Sequence, residues 1–185
     1  MCGRYSIMAT ETFPTNKAPV ILRQRDDTMS LEILQWGFKK WDGKGVVINA
    51  RVETLQTKSM FAKLLAARRC VVPASEYYEW KNPQKLKYHI KDKDDNLLFM
   101  AGLYQDGDKG REFVIITKDA TEEVARVHNR MPVLLRADHI EQWLSGKLSP
   151  DDIAKTEFDM EVEACENEQL SLFHPTAQSL SKSNL

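Results

Sequence analysis

Cysteine and histidine are scarce in this chain of 185 residues. The cysteines are Cys2, Cys70 and Cys165, and no two of them form a C-x-x-C pair, so a disulfide framework is not expected. His89, His128, His139 and His174 show neither H-x-x-x-H nor H-E-x-x-H spacing, so no zinc site is expected and any catalysis should be metal-free. Long apolar runs are also missing. None approaches the ~20 residues of a membrane-spanning helix, and the N-terminus lacks the charged-then-apolar pattern of a signal segment. The expectation is a protein without a membrane partner, resident in the cytoplasm (nucleoid-associated if bacterial). A large net charge is absent too: 26 Lys and Arg stand against 27 Asp and Glu.

What is present fits one ordinary globular domain, with 42% hydrophobic and 29% charged residues. The charge is unevenly spread. Lys44, Arg51, Lys58, Lys63, Arg68 and Arg69 are opposed only by Glu53 between positions 44 and 70, whereas positions 151–168 are acidic apart from Lys155. Such separation predicts one basic and one acidic face.

Leu31–Phe38 and Gly45–Asn49 read as strands, being short, apolar and rich in β-branched or aromatic residues. Thr57–Arg69 reads as a helix, with Met60, Phe61, Leu64 and Leu65 at helical spacing. The runs CVVPA, EYYEW, KYHI, LLFMAGLY and EFVIIT read as further strands, separated by turn material such as NPQ and DGDKG. Thr121–Val127 and Asp138–Leu144 read as short helices, and Ser149 followed by Pro150 as a helix start. Strands outnumber helices without regular alternation, so the predicted class is α+β.

Four stretches look over-specified for packing. MCGRY places a cysteine at position 2. Once the initiator methionine is removed, its α-amine and thiol form a 1,2-aminothiol, with reference pKa values near ~8 and ~8.5, so both supply nucleophile at neutral pH. NARVET puts Asn49, Arg51 and Glu53 at alternate positions, on one face if the strand continues. EYYEW sets Glu76 and Glu79 among aromatics, and HNRMP joins His128 to Arg130 at a predicted helix end. Each has a plainer meaning: Cys2 on a frayed end, surface ion pairs worth little, or a dipole-favoured histidine.

Together and in this order the four stretches resemble the SOS response-associated peptidase (SRAP) family of abasic-site processing proteins. WGF at Trp36–Phe38, SMF after NARVET, YEW at Tyr78–Trp80 and FHP at Phe173–Pro175 extend the resemblance over residues 2–175. The resemblance implies a single domain over 1–175 with a mainly antiparallel, barrel-like β core flanked by short helices, and a loose tail over 176–185. It implies that Cys2 becomes joined to DNA, with Asn49, Glu79 and His128 as the other catalytic residues. Arg4, Arg51 and Arg130 would hold the DNA backbone, and Trp36, Trp41 and Trp80 would shape the groove where bases part. The partner implied is single-stranded DNA carrying abasic sites, bound by a monomer without cofactor or metal. Two departures stand out: the region between Tyr5 and Pro14 is short for the family, and Glu76 occupies a position where glycine is common, so a second carboxylate could sit near the site.

The chemistry follows from the groups. An amine adds to the open-chain aldehyde of an abasic sugar to give a Schiff base. A tethered thiol then closes a five-membered thiazolidine, because intramolecular reactions reach effective molarities of about 10⁵ M or more. His128 suits proton transfer at the sugar oxygen, Glu79 at the amine, and Asn49 suits orientation. Two rival classes remain at this level. An N-terminal-nucleophile glutamine amidotransferase would use the same Cys2 to release ammonia. A non-catalytic single-strand-binding module would not need Cys2 at all.

Overall fold

The computed structural model describes residues 2–165, so the FHP motif and the predicted tail lie outside the described residues. A tight hairpin joins β1 (Tyr5–Ile7) to β2 (Thr10–Thr12), turning at Met8 and Ala9, both in the left-handed region at φ 48° and 64°. Next come β3 (Lys17–Arg23), β4 (Met29–Trp36), the short pair β5 (Phe38–Lys39) and β6 (Val46–Val47), and β7 (Asn49–Arg51). Helix α1 (Ser59–Ala67) leads into β8 (Arg69–Ala74), β9 (Glu76–Lys81), β10 (Leu86–Asp92), β11 (Leu98–Gly107) and β12 (Gly110–Asp119). After these come α2 (Glu122–Ala125), β13 (Arg130–Pro132), α3 (Ile140–Leu144), α4 (Pro150–Ala154) and β14 (Met160–Ala164).

The α+β class and the barrel-like core are both present. Strands pair in the order β11-β8-β3-β4-β12, and β12 pairs back with β11, which closes a five-stranded barrel. Closure leaves no open edge among those five. Long β12 makes this possible by changing neighbours along its length. Its first half lies between β11 and β4, and its second half pairs with β7 and β13. A second antiparallel sheet, β14-β10-β9-β1-β2, shares one apolar core with the barrel interior.

Alternation along the barrel strands explains both cores. Cys70, Val72, Met100, Phe113 and Ile115 point inward. Their neighbours Val71, Ala101, Leu103, Val114 and Ile116 point outward, under Phe61 and Leu65 of α1, Trp143 of α3 and Ile153 of α4. Each such side chain contributes about 1.5–3 kcal/mol on full burial. Trp143 also donates its Nε1–H to the Cys70 carbonyl at 3.0 Å, so its one polar atom is satisfied. Inside the barrel, a Cβ on Gly102 would lie 2.7 Å from the Val114 oxygen and 2.8 Å from the Cys70 sulfur, so only glycine fits there. At α4, Ser149 and Asp152 form a reciprocal capping box ahead of Pro150, as the sequence signals.

Several boundaries differ from the sequence expectation. The Leu31–Phe38 run breaks at Gly37, whose φ of 110° turns the chain from β4 into β5. The α1 helix is shorter than predicted, because Arg69 already belongs to β8. The strand carrying Asn49 and Arg51 does not continue to Glu53, since Val52–Thr54 forms a 3-10 turn. The predicted basic face is not continuous. Arg51 sits beside the end of β12 at Thr117, whereas Arg68 and Arg69 lie at the opposite end of the barrel, and α1 runs between them.

Candidate active site

Cys2 is wholly buried, not frayed. The first strand explains this: Tyr5 pairs with Tyr77 of β9, which draws the preceding residues into the core between the sheet and the barrel. Asn49 donates its Nδ2–H to the Cys2 carbonyl at 2.8 Å, fixing the Cys2 backbone from β7. The other amide atom, Asn49 Oδ1, is buried without a hydrogen-bond partner among the described residues. Burial first, and the charge of Glu79 second, push the Cys2 thiol far above its ordinary range. This holds with Met1 attached, whereas the expected neutral-pH nucleophile is that of a chain beginning at Cys2. In the resting site the thiol is held as S–H.

Glu79 lies on β9 and is only 3% exposed. Desolvation raises its pKa to about 7, against the opposing pull of the positive charge at the amino terminus. Tyr77, two residues earlier on the same strand face, has a buried hydroxyl with no partner among the described residues. Sequence reasoning missed Tyr77, although period-2 spacing from Glu79 could have found it.

His128 follows α2 in a turn before β13; it does not end the helix itself. The Arg130 backbone N–H donates to His128 Nδ1 at 3.0 Å, which places the proton of a neutral ring on Nε2. Burial lowers its pKa below 6.5, and the charge of the amino terminus adds to that. Glu79 and His128 thus both feel the amino terminus, and Cys2 feels Glu79. Among the described residues no group of three or more His, Cys, Asp or Glu could hold a metal ion.

The predicted DNA-contacting residues divide into three groups. Arg51 is exposed at the end of β7, and Trp41 is 97% exposed between β5 and β6. Arg4 is sandwiched, its guanidinium carbon 4.2 Å from the Phe13 ring centre and 4.9 Å from that of Trp80, with Glu11 at 3.2 Å. Trp36 is a correction. It is wholly buried, with Tyr5 and Phe113 at 5.2 and 6.3 Å, so it walls the core and not a groove. Its Nε1–H donates to the Ile48 carbonyl at 3.0 Å, so it positions the backbone just before Asn49. Arg130 is also buried, bridging Glu53 and Asp119 at 2.7 and 2.6 Å and reaching the Thr117 carbonyl. A phosphate would have to displace one of these carboxylates, and Asp119, 87% exposed, is the one able to leave.

Glu76 does not join Glu79. Strand alternation turns it to the other face of β9, where Ser6, Tyr78 and His89 contact its carboxylate at 3.1, 2.7 and 2.9 Å.

The family described as SOS response associated peptidase (SRAP) matches residues 8–173. The match starts after Cys2. The chain is similar to the abasic site processing protein YoqW of Bacillus subtilis, 40% identical over 57% of this chain and 51% of that protein. It is 28% identical to YedK of Escherichia coli, over 96% of this chain and 79% of that protein. To HMCES of Gallus gallus it is 33% identical, over 71% and 52%. The chain thus spans about half the length of the Bacillus and chicken relatives. A solved structure from Bacteroides thetaiotaomicron superposes with a TM-score of 0.73 at 26% identity, over 90% of this chain and 82% of that one.

Proposed function

The chain belongs to the SOS response-associated peptidase (SRAP) family, and from that premise we propose that it recognises abasic sites in single-stranded DNA and captures them on Cys2 as a thiazolidine. The observation that carries this reading is a buried aminothiol residue whose carbonyl is held by Asn49 and whose thiol feels a carboxylate poised near neutrality. Relatives named abasic site processing proteins support the substrate class.

Removal of Met1 frees the Cys2 amine. Glu79, with a pKa of about 7, accepts a proton from the ammonium form, leaving the nucleophilic amine. The amine adds to the sugar aldehyde, and protonated Glu79 gives its proton to the departing hydroxyl, so that loss of water leaves the iminium form of the Schiff base and a carboxylate again. His128, neutral through burial, handles the proton of the sugar oxygen as the ring opens. The iminium charge next to the buried thiol then favours thiolate, the reverse of the resting electrostatics. Sulfur adds to the imine carbon, its proton passes to Glu79, and the ring nitrogen keeps its hydrogen. Net, one water leaves. Because the thiol stays protonated until the imine exists, amine attack precedes sulfur attack.

Arg51 and Arg4 supply phosphate contacts in this reading, and exposed Trp41 and half-buried Trp80 supply stacking surfaces. Arg130 contributes only where a phosphate replaces Asp119. Affinity then falls with salt.

Intact-mass measurement after incubation with an abasic oligonucleotide tests the proposal. The expected product is protein plus DNA minus one water, formed by chain that starts at Cys2 and not by a Met1-retaining form. Cys2→Ala keeps an amine and should give only a borohydride-trappable adduct. Absence of any adduct from protein shown to start at Cys2 overturns the proposal. Ammonia release from glutamine by the same preparation would favour the amidotransferase class instead.

A further inference from the structure

Outside the Cys2 site, a cleft of about 940 Å³ opens between the end of β3, the end of α1 and the start of β12. Its lining carries Arg23, Arg25, Arg68, Arg69 and Arg111 with Asp26 and Asp106, and Asp27 and Glu32 pair with Arg23 and Arg111 at 2.9 and 2.7 Å. β12 shows the separation: Arg111 lies in the cleft, and Ile115, four residues on, pairs with Asn49, which holds Cys2. At ~3.3 Å per residue that is roughly 13 Å along the strand.

The arginines divide by what already holds them. Arg69 donates to the carbonyls of Leu65, Trp143 and Leu148 and is structural. Arg68 and Arg111 both lie over the Tyr104 ring, at 5.3 and 5.7 Å from its centre, which preorganises their guanidinium groups. Glu32 already holds Arg111 at 2.7 Å, and a second carboxylate is shared between the two arginines. Asp106 is 3.0 Å from Arg68 and 3.5 Å from Arg111, and its side chain is 63% exposed. Exposed ion pairs of this kind are worth about 0–1 kcal/mol and exchange readily. Arg25, on the exposed loop after β3, has no ion-pair partner among the described residues.

We propose that this cleft is a second ligand site that binds a small anion with adjacent phosphates, pyrophosphate or the polyphosphate of a nucleotide, in the seat Asp106 now occupies between Arg68 and Arg111, with Arg25 closing over it. Paired guanidiniums match phosphate oxygens by bidentate hydrogen bonding. A nucleic-acid strand is the less suitable occupant. The aromatic ring in the cleft is buried beneath two guanidiniums and offers no face for a base, unlike Trp41 and Trp80.

Calorimetric titration with inorganic pyrophosphate at fixed ionic strength tests this. Saturable binding is expected. It should weaken about tenfold in Arg68→Gln/Arg111→Gln and in Arg25→Glu, and strengthen in Asp106→Asn, since each charged hydrogen bond is worth roughly an order of magnitude in affinity. Arg25→Glu, at an exposed loop position, also guards against loss of fold in the double variant. All variants should still form the adduct at Cys2, which separates failure here from failure of the proposed function. A nucleoside triphosphate should compete with pyrophosphate, and an undamaged single-stranded oligonucleotide should not. Pyrophosphate binding no stronger than chloride, affinity unchanged in Arg25→Glu, or displacement by the oligonucleotide overturns the proposal.

Discussion

Glu76 and Glu79 are three residues apart on one strand, yet the protein gives them opposite chemistry. Burial opposes ionisation of both. At Glu76 the hydrogen bonds from Tyr78, His89 and Ser6 outweigh that penalty, and the carboxyl titrates below its ordinary range. At Glu79, on the dry face with Cys2, burial wins and the value rises to about 7. The Glu76 side chain is 25% exposed and Glu79 3%, so depth together with the donors at Glu76 separates a structural carboxylate from one able to exchange protons at neutral pH.

The largest expected break in that comparison is kinetic. Glu79→Gln should slow adduct formation about 10²–10⁴-fold, the usual range for a lost general acid–base. Glu76→Gln should change the rate by less than about threefold, because its face of the strand does not meet the nucleophile. Quenched-flow sampling on denaturing gels measures both. Equal rates for Glu79→Gln and the parent protein remove Glu79 from the chemistry.

A smaller effect lies in stability against pH, and its sign differs between the two. The folded chain keeps the Glu79 proton between pH 4.5 and about 7, where the unfolded chain has lost it. Stability therefore falls as pH rises through that window, by at most about 3 kcal/mol. Glu76 does the reverse: its contribution is present above pH 4.5 and is lost as pH falls through its depressed value. His128, with a lowered pKa, tilts the curve opposite to Glu79, but it cancels when variant is compared with parent. Urea unfolding from about pH 3 to 8 should show Glu79→Gln gaining relative stability toward pH 7. Glu76→Gln should recover relative stability only below 4.5. Parallel curves for the two variants would erase the distinction.

The same strand shows what the sequence can and cannot reveal. EYYEW announces a strand, and its alternation puts Glu76 and Glu79 on opposite faces, against the expectation that a second carboxylate could sit near the site. Burial was not legible. Trp36 and Trp41 are both tryptophans near strand ends, but one is packed by Tyr5 and Phe113 and the other stands in solvent. Only the tertiary arrangement tells a core wall from a stacking surface. β1 and β2 are three residues each, too short to display a period. β3 was hidden by Pro19, which is tolerated because β8 meets β3 only at Ile21 and leaves the proline N unpaired. The turn after Arg51 was hidden because Val52–Thr54 continues an alternating pattern while the backbone curls into 3-10 geometry. That curl is what hands Glu53 to Arg130.

The smallest expected effect pairs the two tyrosines between the glutamates. Tyr78 donates its hydroxyl to Glu76 at 2.7 Å, so Tyr78→Phe removes a made hydrogen bond and should cost about 1 kcal/mol, or roughly 2–4 °C in Tm. Tyr77 has a buried hydroxyl without a partner among the described residues, so Tyr77→Phe deletes a desolvated group that gains nothing in the resting fold. Its Tm should hold or rise. Burial keeps this phenol protonated, and it faces the side of β9 that carries Glu79, where a donor to an incoming sugar oxygen would have to stand. Adduct formation should then slow in Tyr77→Phe and not in Tyr78→Phe, the stability ranking reversed. If Tyr77→Phe instead loses as much Tm as Tyr78→Phe and keeps its rate, the dry face of β9 is a packing surface, and its buried hydroxyl has no part in the capture of the sugar.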